Sequence, residues 1–571
     1  MSSSSFSIAI TGAGGSGAVT AGLILLEAMA ESSFYGFMQR SSGPQIRGGE
    51  SAVLMHFDTS QILSVNNHFD YLLALDWFNI ERFIDELPLT DNSLVIYDTK
   101  AGDVPAVLSQ TQARFVCFDL KGIAQTISGG RANMVGLGLL AHTFSLPAVN
   151  IHHAVNKILA HKGEAVVNSS VDCILTGMDE QQKTNAWPIH TPVIQAAVKT
   201  PRWSISGNEA CGLGAIQAGV RFVAAYPITP ATEILEWLSP RLEQLGGGLL
   251  QAEDELASIN MIIGASFGGV PSLTATSGPG LSLMLEGIGL AIASETPVVI
   301  INVTRGGPST GIPTKSEQSD LNIALYGCHG DAPHLVLAPL NISDAVLTTY
   351  WATCLAEQLQ TAAIVLSDQF IGQSRAIIDK PSIPFAPCQR STAEKNTDNY
   401  QRYLILDDGV SPMSIPGTKN AMYTADGLEH NPHGTPSSMN YDHQSQAHKR
   451  KHKLQQFDYG EHWAEISGQG DIVLITWGSS SAVVNETARQ LQPLTIKTIA
   501  IRLLMPLQVE PLSAAVKDAR IIIVIEQNQG KQLFHYLHAH QCLPDNVHSL
   551  ARSGPLLFRP DEIANYIKEL I

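Results

Sequence analysis

Three acidic residues stand directly before an apolar helical pattern in the stretch QAEDELASINMIIGAS, residues 251–266. Carboxylates at the start of a helix complement the positive end of its macrodipole, and this structural role is the common one for Glu253, Asp254 and Glu255. A carboxylate in the first helical turn would also lie at the mouth of a sheet, where it could hold or transfer a proton. The acids therefore have two interpretations, a helix start and an acid–base group.

Two loops that follow predicted strands carry groups suited to an organic acid. In NVTRGGPSTGIPTKSEQSDL (302–321), Arg305 stands at a strand end, and its planar guanidinium offers a fork that fits a carboxylate. In AAYPITPATEILEWL (224–238), the hydroxyl of Thr229 could hydrogen-bond a carboxylate or keto oxygen. Lys315 lies on the same loop as Arg305 and is a weaker candidate, because loop capping and solvation explain it equally well.

A glycine-rich turn opens the chain between a predicted strand and a predicted helix. Gly12, Gly14 and Gly17 fit GxGxxG, but residues 34–54 offer no acid at the end of a second strand to hold a ribose. NAD or FAD binding is therefore disfavoured. Backbone amides at the helix start could hold a phosphate of another ligand such as coenzyme A, and a purely structural turn explains the glycines as well. The candidate coenzyme A contacts are Gly14, Gly15 and Ser16.

A second glycine loop, SSGPQIRGGES at 41–51, brackets a single arginine, Arg47. Glycines let such a loop approach a ligand or another backbone closely. Arg47 is thus a candidate contact for substrate or cofactor, and a solvated arginine on an interface loop is the alternative.

The composition is that of a large acidic protein. The 571 residues suffice for roughly three or four domains of about 150 each, and 44% are hydrophobic. The net charge of −17 argues against a nucleic-acid groove or an anionic membrane surface. We expect neither a signal peptide nor a membrane span, and a reducing cytoplasmic location. The cysteines are widely spaced without CxxC, so we expect no iron–sulfur cluster or other metal site on this chain.

Alternating strand and helix patterns indicate an α/β protein with three parallel-sheet domains and helices on both faces of each sheet. The segments YLLALDW, SLVIYD and RFVCFDL read as buried parallel strands, and WPIHTPVIQAAVKTPRWSISG reads as a linker. The third unit begins at DIVLITW and includes IIIVIEQNQG. The predicted divisions are 1–190, 200–375, an irregular crossing segment at 376–465, and 466–571.

The acidic helix resembles the pyrimidine-binding domain of thiamine diphosphate enzymes. In that superfamily a glutamate on such a helix contacts N1′ of the aminopyrimidine and supports deprotonation of the thiazolium C2. A glycine commonly follows at the spacing that separates Glu255 from Gly264. By this register Glu255 is the acid and Glu253 the second choice, and the small residues after the helix are expected to let it pack tightly.

The longer motifs, in order, resemble the α subunit of 2-oxoacid:ferredoxin oxidoreductases, with a γ-type domain fused in front and a transketolase-C-terminal-like domain behind. The resemblance covers nearly the whole chain. It implies that Glu255, Thr229 and Arg305 are the catalytic residues. Thr229 and Arg305 would also hold the 2-oxo acid, with Arg47 and Lys315 as further substrate cations. The implied cofactor contacts are Glu255, Pro227, Ile228, Ser277 and Gly278.

The sequence contains no GDG motif, which usually marks the pyrophosphate and Mg²⁺ domain of these enzymes. The resemblance therefore implies a β subunit that carries this site and a [4Fe–4S] cluster, an (αβ)₂ heterotetramer, and ferredoxin as electron acceptor. The implied reaction is oxidative decarboxylation of 2-oxoglutarate with coenzyme A to succinyl-CoA and CO₂, reversible as CO₂ fixation.

Other functions stay open at this point. Pyruvate or a branched-chain 2-oxo acid is the alternative substrate. A dinucleotide-dependent dehydrogenase lacks its ribose acid, and a non-catalytic scaffold would not need Glu255, Thr229 and Arg305. A transketolase-type transferase does not match the VTRGGPSTG loop.

Overall fold

The computed structural model of the chain describes residues 5–43, 49–62, 64–190, 202–312, 315–381, 386–394, 398–544 and 546–571. These residues divide into two compact units. The first comprises the described part of Met1–Ser206 with Gln373–Lys380 and Arg559–Glu562. The second comprises the described part of Gly207–Gly372, Pro381–Phe558 and Ile563–Ile571.

The strands are β1 (Phe6–Ala13), β2 (Tyr35–Ser42), β3 (Glu50–Asp58), β4 (Tyr71–Ala74), β5 (Leu94–Asp98), β6 (Arg114–Phe118), β7 (Arg202–Ser206), β8 (Phe222–Ala225), β9 (Gly248–Gln251), β10 (Ser272–Thr276), β11 (Val298–Thr304), β12 (Leu335–Leu337), β13 (Ala362–Asp368), β14 (Arg375–Asp379), β15 (Ala464–Ser467), β16 (Ile472–Trp477), β17 (Ile496–Ile501), β18 (Leu503–Met505), β19 (Ile521–Glu526) and β20 (Val547–Ala551).

The helices are α1 (Ala18–Glu31), α2 (Ala106–Ser109), α3 (Leu120–Gln125), α4 (Ala132–Thr143), α5 (Ala148–Leu159), α6 (Glu164–Thr184), α7 (Gly207–Ala218), α8 (Thr232–Gln244), α9 (Glu255–Phe267), α10 (Gly278–Ala293), α11 (Leu321–Tyr326), α12 (Ile342–Leu359), α13 (Gln369–Gln373), α14 (Asn440–Gln455), α15 (Ser480–Gln490), α16 (Val509–Val516), α17 (Gln532–Ala539) and α18 (Pro560–Leu570). Across the described ranges, no helix has both the length and the apolar character needed to cross a membrane.

The sheet of the first unit has the order β6-β5-β4-β1-β3-β2-β14-β7. Strands β1, β4, β5 and β6 run parallel, whereas β3, β2, β14 and β7 pair antiparallel with their neighbours. This sheet is therefore mixed rather than parallel throughout. Strand β6 lies at its edge with only partly buried side chains, so the expectation of a buried strand was wrong there.

The predicted linker at 187–207 is not all linker. Residues 191–201 lie outside the described ranges, but β7 pairs with β14 over five register positions from Arg202 to Ser206. Trp187 is buried, and its indole N–H donates to the Thr143 hydroxyl at 2.8 Å. Pro and Ser punctuation obscured a strand that makes an antiparallel edge.

The second unit contains two sheets. The larger has the order β18-β12-β13-β11-β10-β8-β9 and is parallel except where β18 pairs antiparallel with β12. All seven residues of β11 are buried, which is typical of a central strand covered on both faces. The smaller has the order β15-β17-β16-β19-β20 and is parallel except for β15. The predicted α/β class is confirmed.

Helix α14 was missed within the segment predicted to be irregular, although the rest of that described segment has little regular structure. Its buried face consists of Gln446, Lys449, Arg450, Lys453 and Leu454. An apolar periodicity is the usual signal for a helix, and here charged residues take the buried positions. The helix is held by buried ion pairs instead of an apolar stripe.

Cys354 and Cys388 form a disulfide with Cα atoms 4.9 Å apart. Their 34-residue separation gave no sequence signal for this pair. The remaining described cysteines are free thiols.

Candidate active site

The three acids at the start of α9 have different surroundings. Glu253 is exposed, and Asp254 is the N-cap whose carboxylate accepts from the Ala257 amide at 2.7 Å. Glu255 is only 6% exposed. Asp254 therefore performs the helix-start role expected of the whole cluster, and Glu255 is the acid directed into the protein.

The Glu255 carboxylate lies against the first turn of α10. A Cβ placed on Gly280 would come within 2.6 Å of its Oε1 and would also collide with the Thr276 hydroxyl. The glycine at 280 is thus required by the side chains packed on it. Throughout the described ranges, no hydrogen bond or ion pair to this carboxylate is present. The carboxylate of this buried residue thus stays available to accept from, or share a proton with, a group that binds there.

The start of α10 presents a second unused polar group. Ser277 is the N-cap, fully buried, but its hydroxyl does not cap the helix and has no partner within the described residues. Gly278 follows directly, while Pro227 and Ile228 are half-buried beyond the end of β8. These predicted cofactor contacts lie at carboxyl ends of the parallel strands, where ligands bind in open α/β sheets.

Arg305 and Thr229, both named from sequence as substrate residues, lie in contact. The Arg305 Nη1 donates to the Thr229 carbonyl oxygen at 2.9 Å, and Thr229 itself is exposed. The Arg305 Nε is buried and lacks an acceptor among the described residues. The guanidinium is therefore oriented by one contact while part of its donor set stays available for an anion.

Buried polar side chains at the ends of β10 and β11 lie between the acid and the arginine in the sheet order, and sequence reasoning missed them. Thr276 beside Glu255 is the register partner of Asn302 on the neighbouring strand. The Asn302 amide donates to Asp320 at 2.9 Å and to the Thr304 hydroxyl at 3.1 Å. A Cβ on Gly278 would lie 2.8 Å from the Asp320 carboxylate.

Asp320 stands at the N-cap position of α11, but its side chain does not cap that helix. Burial raises the pKa of the Asp320 carboxyl above its usual range, and hydrogen bonds from Asn302 and Thr304 oppose that shift. The nearby Arg305 charge also opposes it. One site edge thus carries the buried Glu255, the half-buried Asp320 and an arginine.

Arg47 and Lys315 were also predicted from sequence to bind the substrate. Arg47 lies outside the described residues. Lys315 is half-buried, and its carbonyl accepts from the Gly306 amide at 3.1 Å, which closes the base of the loop beside Arg305.

The expectation that the small residues after Glu255 let α9 pack tightly is wrong at Gly264. This glycine is exposed, and a Cβ there would meet nothing within 4 Å. The close approach occurs instead at Gly287 of α10, where a Cβ would lie 2.7 Å from Ile259.

The glycine loop of the first unit borders a cavity of about 310 Å³. Gly15, Ser16, Arg131, Asn133 and Lys162 are among its lining residues, and both cations are exposed at its rim. The Ser16 hydroxyl is buried without a partner in the described ranges. A cavity with a helix N-terminus and two cations suits a phosphate-bearing ligand.

Parts of that loop are already engaged. The Gly14 amide donates to the Gly49 carbonyl at 2.5 Å, and the Asp76 carboxylate accepts from the Ala13 amide at 3.0 Å. Gly17 has a φ of +88°, and a Cβ there would collide with the Asn133 amide. Gly14 is therefore not a free donor, whereas Gly15 and Ser16 face the cavity.

A dinucleotide fold is excluded by the strand order of this unit. In a dinucleotide-binding fold, the strand after the glycine loop and its helix runs parallel to the first strand and beside it. Here β2 follows α1 but pairs antiparallel with β3, which separates it from β1. Among the described residues, no group of three or more His, Cys, Asp or Glu side chains could hold a metal ion.

Two family models match the chain. Residues 7–180 match pyruvate ferredoxin/flavodoxin oxidoreductase. Residues 213–450 match pyruvate flavodoxin/ferredoxin oxidoreductase, thiamine diP-binding. The second match contains Glu255, Thr229 and Arg305.

Named relatives extend the similarity over the whole chain. The 2-oxoglutarate synthase subunit KorA of Methanothermobacter marburgensis is 35% identical over 379 residues, 64% of this chain and 99% of that protein. The 2-oxoacid:ferredoxin oxidoreductase subunit alpha of Saccharolobus solfataricus is 28% identical and covers 98% of this chain and 97% of its own length.

One solved structure matches over the same extent. The 2-oxoglutarate:ferredoxin oxidoreductase from Magnetococcus marinus, with 2-oxoglutarate, coenzyme A and succinyl-CoA bound, has a TM-score of 0.90 and 32% identity. The match covers 99% of each chain.

Proposed function

This chain belongs to the 2-oxoacid:ferredoxin oxidoreductase family, and on that premise we propose that it catalyses the oxidative decarboxylation of 2-oxoglutarate with coenzyme A. The products are succinyl-CoA, CO₂ and reduced ferredoxin. The observation that carries the proposal is that buried Glu255 and the hydrogen-bonded Arg305–Thr229 pair all follow the carboxyl ends of strands β9, β11 and β8 of one sheet.

Arg305 binds a carboxylate of the substrate through donors that its contact with Thr229 leaves available. The Thr229 hydroxyl, on an exposed residue beside that guanidinium, donates to a second oxygen of the 2-oxo acid. A dicarboxylate needs a further cation, and Lys315 at the base of the same loop is the described candidate. Arg47 stays a prediction from sequence.

Thiamine diphosphate fits the other half of the edge. The group supplies an electron sink that lets CO₂ leave from the 2-oxo acid. Glu255 would hold a proton at N1′ of its aminopyrimidine, since the carboxylate is buried and lacks a partner within the described chain. The unbonded Ser277 hydroxyl and the backbone at Gly278 and Gly280 would contact the cofactor beside Glu255.

Coenzyme A would place a phosphate in the cavity beside Gly15 and Ser16, with Arg131 and Lys162 as the rim cations. The cavity volume of about 310 Å³ suits part of the cofactor rather than all of it. Gly14 contributes shape rather than a donor, because its amide is already bonded.

The remaining parts of the site belong to partners. The sequence has no GDG motif, and the described residues hold no metal-binding cluster. A β subunit would therefore provide the pyrophosphate and Mg²⁺ site and a [4Fe–4S] cluster, in an (αβ)₂ heterotetramer that reduces ferredoxin. A cytoplasmic location belongs to the same proposal.

The test is an anaerobic assay of the chain co-expressed and purified with its β subunit. We expect coenzyme A-dependent reduction of a viologen dye with 2-oxoglutarate, and less with pyruvate. No turnover of any 2-oxo acid by a complex with thiamine diphosphate and cluster present would contradict the proposed function.

A further inference from the structure

The second half of the substrate loop is bound by the smaller α/β domain of the same unit. Gln318 is fully buried, and its side-chain amide donates to the Trp477 carbonyl at 2.8 Å. Its Oε1 accepts from the Ser480 hydroxyl at 2.9 Å and from the Gln527 amide at 2.7 Å. The Gln318 amide in turn donates to the Gln527 carbonyl at 2.8 Å. Four hydrogen bonds thus fix one loop residue to two strand ends of the other domain.

Two further side chains of that domain continue the contact. Gln532 Nε2 donates to the Ser319 carbonyl at 2.9 Å, and its Oε1 accepts from the Asn322 amide at 2.8 Å. Asn528 donates to the Gln318 carbonyl at 3.3 Å and to Glu526 at 2.6 Å. We call Trp477, Ser480, Gln527, Asn528 and Gln532 the C-terminal clamp.

The clamp itself is rigidly supported. The Glu526 carboxylate accepts from the Leu533 and Phe534 amides at 2.8 and 3.0 Å, which caps the start of α17. Burial raises the pKa of this carboxyl, and the backbone donors oppose the shift. Glu526 orients Asn528 and positions the first turn that contains Gln532.

The bound segment is continuous with the residues proposed to hold substrate. Lys315 lies three residues before Gln318, and its carbonyl fixes the Gly306 amide next to Arg305. Asp320 lies two residues after Gln318 and accepts from Asn302 at the end of β11. The clamp therefore restrains both the base of the Arg305 loop and the carboxylate beside it.

We propose that the C-terminal clamp is a positioning device that sets where Arg305 and Lys315 stand, and so sets the affinity for the dicarboxylate substrate. This inference rests on the proposed function for the identity of the substrate. Gln318 and Gln532 are positioning residues, because their described contacts are with protein groups of the loop and the smaller domain. Through the clamp, the smaller domain would influence substrate binding, although the proposed substrate contacts among the described residues lie outside it.

The primary test replaces Gln532, which is half-buried and outside the apolar core, so the variant should fold. Gln532→Ala removes the hydrogen bonds that this side chain makes with the Ser319 carbonyl and the Asn322 amide. We expect the KM for 2-oxoglutarate to rise roughly ten-fold with kcat little changed, the pattern of lost substrate positioning. Gln532→Glu keeps the acceptor for Asn322 and should recover part of the loss.

The matched control is Gln508→Ala. Gln508 is also a half-buried glutamine of the smaller domain, and its Nε2 donates to the Pro506 carbonyl at 3.1 Å, away from the loop. We expect wild-type KM and kcat for this variant. Equal KM values for the Gln532→Ala and Gln508→Ala complexes would overturn the proposal.

A second readout does not depend on turnover. Hydrogen–deuterium exchange of the purified complex should be faster at the Gly306 amide in Gln532→Ala than in Gln508→Ala, because the segment that follows Lys315 loses two of the hydrogen bonds that restrain it. Unchanged exchange there would also overturn the proposal. A wild-type complex inactive on 2-oxoglutarate would refute the proposed function, and the exchange data would still decide whether the clamp restrains the loop.

Discussion

Glu295 is the anchor of helix α14, and its removal should destabilise the second unit strongly. It is fully buried just beyond the end of α10. Its Oε1 pairs with Lys449 Nζ at 2.8 Å and its Oε2 with Lys453 Nζ at 2.9 Å. Its carbonyl also accepts from Arg402 Nη2 at 2.7 Å. One carboxylate therefore compensates several buried cations.

Glu295→Gln would leave the ammonium groups of Lys449 and Lys453 buried without an anion. Breaking a buried pair on one side typically costs about 3–5 kcal/mol. With an unfolding entropy of about 2.1 cal/mol/K per residue over roughly 350 residues, the expected fall in Tm is about 4–7 °C. Glu286→Gln on the exposed face of α10 is the control, and should change stability by less than about 0.5 kcal/mol.

On the acid side, the stabilisation by Glu295 should weaken as the pH falls. The two lysines and Arg402 hold the pKa of the Glu295 carboxyl well below its usual value of 4.5, although burial alone would raise it. The folded state thus binds this proton less readily than the unfolded chain. The stabilisation is present above about pH 4.5 and is lost as the pH falls toward the folded-state pKa.

The assay is thermal and urea unfolding of the purified complex for wild type, Glu295→Gln and Glu286→Gln, at pH 7 and at several values down to pH 3. The Tm gap between wild type and Glu295→Gln should narrow below about pH 4.5. A gap no larger than that of the control, or one constant from pH 7 to pH 3, would refute this account of α14.

Two further substitutions test the site and the cavity. Gly280→Ala should lower both Tm and activity, because the added Cβ would displace the Glu255 carboxylate. The expected fall in the free energy of unfolding is about 1–3 kcal/mol. In the control Gly289→Ala, on the same helix, the added Cβ meets nothing within 4 Å, so the variant should be neutral or more stable by up to about 1 kcal/mol. Equal changes of Tm and activity in the two variants would contradict the close packing of Glu255 against Gly280. Lys162→Ala should raise the KM for coenzyme A without changing that for 2-oxoglutarate, measured by steady-state kinetics; an unchanged KM would count against the cavity as a phosphate site.

The sequence predicted the family and the α/β class, and it named Arg305 and Thr229 as substrate residues, which stays a prediction. The family is confirmed by relatives and by a solved structure over nearly the whole chain. Strand and helix patterns report burial of apolar side chains, so buried strands such as β11 and β13 were readable. The loops that carry Thr229 and Arg305 could then be predicted to follow such strands.

Other features depend on tertiary contacts that local patterns do not encode. Helix α14 buries lysines, and the antiparallel half of the first sheet includes β14, some 170 residues from its partner β7. Asp320 gave no signal because a lone aspartate at a helix start is ordinarily a cap. Its contact with Asn302 depends on the loop between them.

The register of the family resemblance chose Glu255 among the three acids from the sequence alone. The coordinates add that Asp254 caps α9 and that Glu255 is buried, which local sequence does not reveal. The packing that matters lies at Gly280 on another helix, rather than at Gly264 on the same one.

The most direct measurement is the coenzyme A-dependent reduction of viologen by 2-oxoglutarate in the purified complex, for wild type, Glu255→Gln and Glu253→Gln. We predict a loss on the order of 100-fold or more in Glu255→Gln, as for a lost acid–base group, and near wild-type activity in Glu253→Gln. Unchanged activity in Glu255→Gln would contradict the central role given to this carboxylate.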